Sequence, residues 1–490
     1  MKPQTSALPI AIIGAGPVGL AAAAHLLLRS QQPLILESAA SIAANLASYR
    51  QVRLFSPWRY NLDQAAVSLL TASGWQQPDP EGLPTAGEMI DHYLQPLAQL
   101  PAIAASLHLQ HRVIAVSRQS YDKVKTKGRE DAAFVLRVAT PEGERDYLAS
   151  AIIDASGTWS QPNPLGANGI PAIGEEQYAA HISYGMPDIL GTQRQRFAGK
   201  RVLVVGTGHS AAGNLLALAQ LAEQVPGTTL LWAIRGNHVA KVFGGGSADG
   251  LPARGQLGAR LKALKDTGQL SLYRNFRIRQ LQSGEHGEDG ITVTGDMHLG
   301  ETPVLSGIDE IIAATGARPD LSLSRELRLR HDPWLESTEA LAPLIDPNEH
   351  SCGTVRPHGH RELAHPEPGY YAVGAKSYGR APNFLMATGY EQVRSVVAAL
   401  SGDLAAADEV QLSLPQTGIC STQPVYELPE KEEPAACCGG AAPAGANACC
   451  ALDATEKAKG NAGCGCSTQS ETPAMPTLSK PAASKPNCCS

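Results

Sequence analysis

The main body of the chain is poor in cysteine. Of the ten cysteines in 490 residues, only Cys352 and Cys420 come before residue 437. A secreted scaffold held together by disulfides is therefore excluded for that part. The chain also lacks a basic block and has a net charge of −6, which argues against nucleic acid or an anionic membrane as a partner. With 43% hydrophobic and 18% charged residues, most of the chain can bury a core.

Long apolar runs are also rare, and the one near the N-terminus is interrupted. Residues 7–28 are almost wholly apolar and resemble a signal peptide or a membrane span. Three glycines and a proline at residues 14–19 break this run, and a strand, a tight turn and a helix explain the pattern better. No later stretch of about 18 apolar residues follows, so we expect a soluble, cytoplasmic protein.

The N-terminal residues predict a strand, a glycine turn, a helix and a second strand. Residues 9–13 are apolar, a helical pattern runs from residue 17, and residues 33–37 predict the next strand, which ends at Glu37. The turn has the form G-x-G-x-x-G, with Gly14, Gly16 and Gly19. These glycines allow a tight turn, the approach of a pyrophosphate and close helix packing, while Glu37 can accept hydrogen bonds from a ribose. The pattern predicts a dinucleotide site.

A second unit of the same kind begins about 190 residues later. Residues 201–205 and 229–235 predict its strands, and its turn residues are Gly206, Gly208, Ser210 and Ala211, the last in the place of the third glycine. The second strand ends at Arg235, which would pair with a 2′-phosphate where an acid would repel it. His238 and Lys241 add polar or positive groups nearby. We therefore predict NADPH rather than NADH, although Arg235 could instead be a solvated residue at a strand end.

With both turns in place, residues 8–400 resemble the two-dinucleotide-binding flavoproteins. Four segments carry the resemblance: GAGPVG with Glu37, IIDASGTWSQPNPLG (152–166), VVGTGHSAAG (204–213) and ATGARPD (314–320). The resemblance implies an α/β fold with two Rossmann-type domains, of which the first binds FAD and the second, inserted, binds NADPH. It divides the chain into the first part of the FAD domain, the NADPH domain, a return segment of the FAD domain, and a linker with a disordered cysteine-rich tail: residues 1–165, 166–319, 320–405 and 406–490.

The same resemblance implies further cofactor contacts. Residues 154–157 and 315–316 would mark the two crossings between the domains, and residues 370–392 would return to cover the flavin. Residues 53–63 look like the stretch beside the flavin in flavin-containing monooxygenases, although Trp58 within them could equally be a plain core aromatic. The residues assigned to the cofactors in these segments are Trp58, Asp154, Gly157, Gly316, Gly374 and Thr388.

The absence of a cysteine pair in the body bears on the reaction. Disulfide-reductase members of this superfamily relay electrons through two nearby cysteines beside the flavin, and Cys352 and Cys420 are far apart in sequence. We therefore predict a monooxygenase, in which the chemistry belongs to the reduced flavin and oxygen. The linker before the second turn is similar to that of flavin-containing monooxygenases, whose fingerprint is F-x-G-x-x-x-H. His181 takes the histidine place, whereas Glu175 and Gln177 occupy the other two.

Three polar residues are candidates for the reaction site: His181, Arg380 and Asn383. His181 could contact NADPH or the substrate, or be a hydrogen-bonded linker residue. Arg380 and Asn383 interrupt an otherwise apolar return segment, where we favour contact with flavin or substrate over a surface turn.

The other eight cysteines form four pairs in the C-terminal segment: Cys437 and Cys438, Cys449 and Cys450, Cys464 and Cys466, and Cys488 and Cys489. From about residue 430 the chain is too poor in apolar residues to offset its ordering entropy, so we predict a disordered tail. Structural zinc sites prefer wider cysteine spacings, whereas adjacent thiols suit soft ions such as As(III), Hg(II) or Cu(I). We predict that these cysteines bind a soft metal or metalloid, unless they are incidental to a low-complexity extension.

Together with residues 374–395, the tail is similar to flavoproteins of bacterial arsenic resistance. This resemblance implies oxidation of a soft nucleophilic atom, namely a trivalent arsenical converted from As(III) to As(V), with the tail capturing the metalloid. Two alternatives stay open. One is an NADPH-dependent metal or disulfide reductase, similar to mercuric or thioredoxin reductase, that uses the tail thiols. The other is a metalloid-sequestering flavoprotein. The sequence leaves the oligomeric state open.

Overall fold

The computed structural model describes residues 8–237, 239, 243, 252–284, 290–297, 302–350, 355–412 and 451–460. The chain divides into two compact units, Met1–Gln423 and Pro424–Ser490. All ten cysteines lie outside the described residues, as do His238 and Lys241. The predicted metal-binding pairs therefore stay predictions. So does the predicted disorder of most of the tail, although Ala451–Ala458 within it form a helix.

The described residues form the following elements. The strands are β1 (Ile10–Ile13), β2 (Pro33–Leu36), β3 (Leu107–His108), β4 (Arg112–Arg118), β5 (Phe134–Thr140), β6 (Gly143–Ala149), β7 (Ala151–Asp154), β8 (Ile182–Tyr184), β9 (Arg201–Val205), β10 (Thr229–Ala233), β11 (Ser271–Tyr273), β12 (Ile278–Ser283), β13 (Ile291–Gly295), β14 (Val304–Ile308), β15 (Glu310–Ala313) and β16 (Tyr370–Ala372). The helices are α1 (Pro17–Leu28), α2 (Ala44–Ala47), α3 (Gln64–Ala72), α4 (Ala86–Met89), α5 (Gln95–Ala98), α6 (Pro101–Ala104), α7 (Arg194–Phe197), α8 (His209–Gln224), α9 (Pro252–Asp266), α10 (Ala342–Ile345), α11 (Met386–Leu400), α12 (Leu404–Asp408) and α13 (Ala451–Ala458). Among these helices, none has both the length and the apolar character needed to cross a membrane.

The first sheet is parallel and has β1 at its centre, in the order β16-β7-β1-β2-β3. Every residue of β1, β2 and β7 is buried, as expected for strands that are covered on both faces. Helices α1 and α11 pack on one face, and the antiparallel sheet β4-β5-β6 covers the other. The register aligns Ile13 with Leu36 and Asp154, and Asp154 with Ala372. Four strand ends therefore meet at one edge.

The second sheet repeats this design in the order β11-β10-β9-β15-β8. Helix α8 covers one face, and the antiparallel sheet β12-β13-β14 packs on the other. The ends of its central strands are aligned, because Val205 pairs with both Ala233 and Ala313. Two parallel sheets, each with a glycine turn after its central strand, confirm the predicted α/β fold class. Strand β9 matches its predicted range, whereas β10 ends two residues before the predicted end at Arg235.

Seven strands were not predicted: β3, β6, β8, β11, β12, β13 and β14. Strand β6 shows why. Strand β6 pairs with β5 along the whole length of β5, but only residues 110–118 and 132–139 predict strands in this region. The first four residues of β6 are exposed and mostly charged, because it is the outer strand of a small sheet. Without an apolar alternation, its sequence favours a loop.

The two predicted crossings between the sheets lie side by side. The N–H of Asn163 donates to the carbonyl oxygen of Gly316 at 2.9 Å, and the Oγ1 of Thr315 donates to that of Asn163 at 2.6 Å. Pro162 and Ala317 form an antiparallel bridge between them. The chain thus leaves the first sheet and returns to it through one hydrogen-bonded double connection. The exact domain boundaries stay predictions.

A buried carboxylate ties the β4-β5-β6 sheet to the segment before β16. Both oxygens of Glu367 accept hydrogen bonds from Arg129, at 2.7 and 2.6 Å, and Oε1 also accepts from Nε of Arg118 at 2.8 Å. All three side chains are buried. Because a buried charge is costly unless it is paired, this cluster fixes how the loop enters β16 and thereby places the return segment.

Candidate functional site

The first glycine turn connects β1 to α1 at the edge where the four strand ends meet. Gly14 has a φ of 98°, and a Cβ there would lie 2.9 Å from the carbonyl oxygen of Ala155. A Cβ at Gly19 would overlap the carbonyl oxygen of Gly14, so α1 packs closer to the turn than a side chain would permit. Gly16, the N-cap of α1, differs because a Cβ there would meet none of the described atoms within 4 Å. This open space above a helix N-terminus fits a pyrophosphate.

Glu37 is buried directly after β2, beside this turn. Its Oε2 accepts a hydrogen bond from the N–H of Ala15 at 2.8 Å, and its Oε1 accepts from the N–H of Ala39 at 2.9 Å. These backbone donors hold the carboxylate next to the turn, where the adenosine ribose of a dinucleotide would lie. The hydroxyl of Ser38 also donates to Oε1, at 3.2 Å. Since a carboxylate can accept about four hydrogen bonds, an acceptor site remains for a ribose hydroxyl. The turn and Glu37 together fit FAD.

The second glycine turn connects β9 to α8 with the same division of roles. Gly206 has a φ of 129°, and a Cβ there would overlap the carbonyl oxygen of Ala314. Gly208 is the N-cap of α8, and a Cβ at this position would meet none of the described atoms within 4 Å. Ser210 is the second residue of the helix. The turn has a support that the sequence did not reveal, because the indole N–H of Trp232 donates to the carbonyl oxygen of Gly206 at 2.7 Å.

Arg235 lies at the same edge as the second turn. It is exposed and follows β10, the neighbour of β9, by two residues. A guanidinium at the end of this strand can pair with a phosphate on a ribose bound at the turn. The contact itself stays a prediction.

The return segment lies against the first turn of α1. A Cβ at Gly374, whose φ is 65°, would lie 3.3 Å from Cγ2 of Val18, and one at Gly389 would lie 2.7 Å from the same atom. Thr388 is buried in the first turn of α11. The N-cap of α11, Leu385, makes no side-chain hydrogen bond to the helix. Helices α1 and α11 thus bring two N-termini together, an arrangement that favours electron-rich groups at this edge.

Asp154 makes its contacts within the protein. Its carboxylate lies 2.6 Å from Nζ of Lys376 and accepts hydrogen bonds from the hydroxyls of Tyr370 at 2.9 Å and Ser156 at 2.7 Å. The side chains of Asp154 and Lys376 are 0% and 1% exposed. Burial and the neighbouring Asp154 raise the pKa of Tyr370 well above its usual value, so the phenol keeps its proton. The acid therefore anchors the return segment to β7, and any direct contact with a cofactor stays a prediction.

The two predicted glycines at the crossings occupy turns, Gly157 after the first sheet and Gly316 after the second. Gly157 comes three residues after β7 and has a φ of 72°. Gly316 has a φ of 83°, and a Cβ there would lie 3.4 Å from Nδ2 of Asn163. Both positions have the left-handed backbone that glycine adopts without strain.

Two aromatic contacts that the sequence did not reveal join the residues after α2 to the start of α8 and to the segment after β7. The ring of Phe55 meets the ring of His209, the first residue of α8, with their centroids 5.2 Å apart. The rings of Tyr49 and Trp159 lie 4.7 Å apart, and burial raises the pKa of Tyr49 to about 12. The segment beside the predicted flavin site therefore touches the mouth of the second glycine turn.

The structure separates His181 from the second glycine turn. His181 directly precedes β8, and its Nδ1 lies 3.1 Å from the carbonyl oxygen of Asp309 and 3.4 Å from Oε1 of Glu310, at the start of β15. In a parallel sheet this is the edge opposite to the strand ends that carry the turn. The side chain is 52% exposed. This placement favours the linker interpretation over contact with NADPH.

The other two candidates stay in the return segment. Arg380 is exposed, and its N–H donates to the carbonyl oxygen of Leu335 at 2.7 Å. Asn383 is buried, donates from Nδ2 to the carbonyl oxygen of Ile345 at 3.1 Å, and has an Oδ1 without a partner among the described residues. A buried acceptor of this kind requires an explanation, and a ligand donor is one. Their roles stay predictions.

Trp58 is buried in the core that contains α1 and α3. It also borders a cavity of about 700 Å³ that Trp75 and His92 help to line. The burial favours the core interpretation, and contact with flavin stays a prediction. In the described part of the chain, no three side chains of His, Cys, Asp or Glu come together as metal ligands.

The geometry thus offers two dinucleotide sites, and comparison with known proteins decides the family. Residues 11–353 match the family described as pyridine nucleotide-disulphide oxidoreductase. The chain belongs to this family. Membership confirms the prediction of an oxidoreductase that depends on FAD and a pyridine nucleotide, and the residues of both glycine turns fit those groups.

Solved structures with this fold come from both branches of the chemistry. The bacillithiol disulfide reductase of Bacillus cereus is 17% identical, with a TM-score of 0.60 over 81% of this chain and 99% of the other. DfoA of Erwinia amylovora, a cadaverine monooxygenase bound to FAD, is 12% identical, with a TM-score of 0.57 over 84% of this chain and 97% of the other. At these identities the likeness concerns the fold alone. Family membership therefore does not decide between reductase and monooxygenase chemistry, and only the residues of this chain can.

A curated relative matches part of the chain. Ferredoxin–NADP reductase 1 of Cupriavidus metallidurans is 27% identical over 226 residues, which is 46% of this chain and 52% of the relative. The chain therefore spans about half the length of that relative. Reductase and monooxygenase names both occur among proteins similar to this one.

Proposed function

We propose that this oxidoreductase is an FAD- and NADPH-dependent monooxygenase that oxidises a trivalent arsenical from As(III) to As(V) in the cytoplasm. The observation that carries the proposal is the distribution of cysteine: the two cysteines of the body are far apart, and four pairs lie in the tail. A thiol relay needs two sulfurs within disulfide reach of the flavin. Paired thiols in a polar tail suit capture of a soft metalloid.

The overall reaction balances without a thiol. NADPH and the arsenic lone pair each provide two electrons, so one oxygen atom of O₂ forms the As–O bond and the other leaves as water. Reduced flavin, when bound, supplies the electron pair that activates oxygen. The protein's part is to bind the two nucleotides at the two glycine turns, with NADPH at the N-terminus of α8 and FAD at the paired N-termini of α1 and α11, and to hold the return segment over the FAD site.

Substrate-dependent oxidation of NADPH is expected to require oxygen. With methylarsenite as substrate, the full chain should consume about one O₂ per NADPH, as the balance of a monooxygenase demands, and release the pentavalent product. An oxygen electrode and arsenic speciation measure both quantities. Turnover that continues at the same rate without oxygen would support a metal or disulfide reductase instead.

A chain that ends at residue 430, beyond the first compact unit, provides the matched variant for this experiment. If it keeps its kcat but needs more substrate, the tail captures the metalloid. If it accepts electrons from NADPH but no longer turns over, the tail is an electron relay and the reductase interpretation is correct.

The position of Arg235 supports NADPH as the preferred nucleotide. We expect Arg235→Gln to raise the KM for NADPH about tenfold or more, since a charge-assisted hydrogen bond to phosphate is lost. The KM for NADH, which has no 2′-phosphate, should change little. Arg145→Gln, on the exposed face of β6, is the matched control. Equal effects on the two nucleotides would show that Arg235 does not contact the 2′-phosphate.

A further inference from the structure

A buried hydrogen-bond network holds the return segment where it passes over α1. The segment turns at Gly374–Lys376 and continues to Ser377. The hydroxyl of Ser377 donates to the carbonyl oxygen of Gly374 at 2.8 Å. Since Gly374 packs against Val18 in the first turn of α1, this turn lies beside the first glycine turn. Its position therefore affects how FAD is held.

The side-chain amide of Gln392 fixes this turn from α11. Its Oε1 accepts a hydrogen bond from the N–H of Gly374 at 2.7 Å, and its Nε2 donates to the hydroxyl of Ser377 at 3.0 Å. Gln392 is 0% exposed. Water therefore cannot replace these bonds. Because the buried N–H of Gly374 needs an acceptor, the amide of Gln392 must turn its oxygen towards Gly374.

The remaining hydrogen of that amide points to His358. The Nε2 atoms of Gln392 and His358 lie 3.0 Å apart, and Nδ1 of His358 lies 3.0 Å from the carbonyl oxygen of Arg356. A carbonyl oxygen can only accept, so Nδ1 carries the proton and Nε2 offers its lone pair to Gln392. The geometry thus assigns a neutral imidazole in one tautomer.

A second proton on His358 has no place in this network. Nε2 of His358 would then be a donor facing the NH₂ group of Gln392. If the amide of Gln392 rotated to present its oxygen to the imidazolium, its NH₂ group would face the N–H of Gly374. Either arrangement leaves two donors opposed in a buried site, where an unmade hydrogen bond is costly.

We propose that His358 is a proton-sensitive positioning residue of the FAD site: only its neutral form lets Gln392 hold the turn at Gly374 against α1. Protonation of His358 releases the turn and weakens the binding of FAD. The proposal rests on the FAD site and not on the oxygen reaction, and FAD binding can be measured without substrate or oxygen.

The surroundings of His358 set the pH range. Burial lowers its pKa below the ordinary value of 6.5, while the carbonyl of Arg356 and the carboxylates of Glu362 and Glu391 oppose this shift and the charge of Arg356 adds to it. The ring of Tyr378 packs 5.6 Å away. With the turn released, the imidazole titrates near 6.5. The held state is therefore fully favoured above pH 6.5 and becomes less favoured as the pH falls below it.

The first test compares FAD binding at pH 7.5 and pH 5.5 in the full chain. Flavin fluorescence on dilution gives the dissociation constant of FAD, which we expect to rise by up to about tenfold at the lower pH, the effect of one pH unit of linkage. His358→Gln places a non-titrating acceptor opposite Gln392 and should show less than about a twofold change. His92→Gln, at an exposed position, is the matched control and should behave as the wild type. Circular dichroism confirms that the fold is unchanged over this range.

The second test reverses the effect. In Gln392→Glu, a carboxylate can accept from Gly374 and from an imidazolium at position 358, so FAD should bind more tightly at pH 5.5 than at pH 7.5. This variant also decides the matter if His358→Gln fails to fold. A wild type without pH dependence, a loss of FAD that His358→Gln shares, or a Gln392→Glu variant that still weakens at low pH would each overturn the proposal.

Discussion

Gly208→Ala is expected to keep its FAD and to lose most of its reduction by NADPH. Gly208 has a φ of −89°, which any residue adopts, and a Cβ there would meet none of the described atoms within 4 Å. The methyl group would therefore not disturb the fold. It would occupy the space that a pyrophosphate needs at the N-terminus of α8. We expect the KM for NADPH to rise about a hundredfold, corresponding to roughly 2.7 kcal/mol of binding.

The measurement is the rate at which the absorbance of the oxidised flavin is lost at several NADPH concentrations. Reduction by dithionite should be unchanged, because it does not use the nucleotide site. Gly16→Ala is the matched variant at the first turn, where a Cβ also meets open space. It should fold but lose FAD. If Gly208→Ala is reduced by NADPH as fast as the wild type, the second turn does not bind the nucleotide.

Gly206→Ala distinguishes this effect from damage to the turn. A Cβ at Gly206 would overlap the carbonyl oxygen of Ala314, and the φ of 129° is strained for alanine. This variant should therefore lose thermal stability, which Gly208→Ala should keep. The comparison separates a glycine needed by the protein from a glycine needed by the ligand, although both belong to one sequence motif.

Local patterns predicted the two glycine-turn units and the central strands of both parallel sheets, but not the β12-β13-β14 sheet. Each glycine turn follows a short apolar strand and opens a helix, so neighbouring residues alone define the unit, and β9 matches its predicted range. The sequence did not predict contacts between residues that are distant along the chain. His181 is separated from the second turn because β8 runs parallel to β15 and therefore begins at the opposite edge of the sheet. Sequence spacing does not reveal that these two strands pair.

The supports of the site were missed for the same reason. Gln392 and His358 read as an ordinary helix residue and a loop histidine, because their partners become neighbours only when α11 packs on the first sheet. Phe55 meets His209 across more than 150 residues of chain, a separation at which sequence pattern carries no signal. The motif residues that would bind the cofactors can be recognised in the sequence. The residues that hold those motifs in place can be recognised only once the packing of the folded chain is known.

Lys376→Met is expected to destabilise the protein by about 3–5 kcal/mol, the usual effect of leaving a buried charge without its partner. The ammonium of Lys376 lies 2.6 Å from Asp154 and 2.9 Å from Oγ of Ser156, and both charged side chains are buried. Methionine has a similar length but no charge, so the loss would come from the unpaired carboxylate and not from a cavity. The midpoint of urea unfolding measures the change.

The double variant Asp154→Asn with Lys376→Met decides whether the two charges act as a pair. Removing both should cost less than the sum of the single changes by at least about 1 kcal/mol, because no buried charge is left unpaired. Lys262→Met is the matched control: Lys262 also lies 2.6 Å from an aspartate, Asp266, but this pair is exposed, so its loss should change the urea midpoint little. Strictly additive losses would show that Lys376 and Asp154 stabilise the return segment independently. A large coupling would instead show that one ion pair fixes this segment to β7 below the turn. Since Gln392 and His358 hold the same segment from α11, two separate buried contacts would then set the position of a single turn over the FAD site.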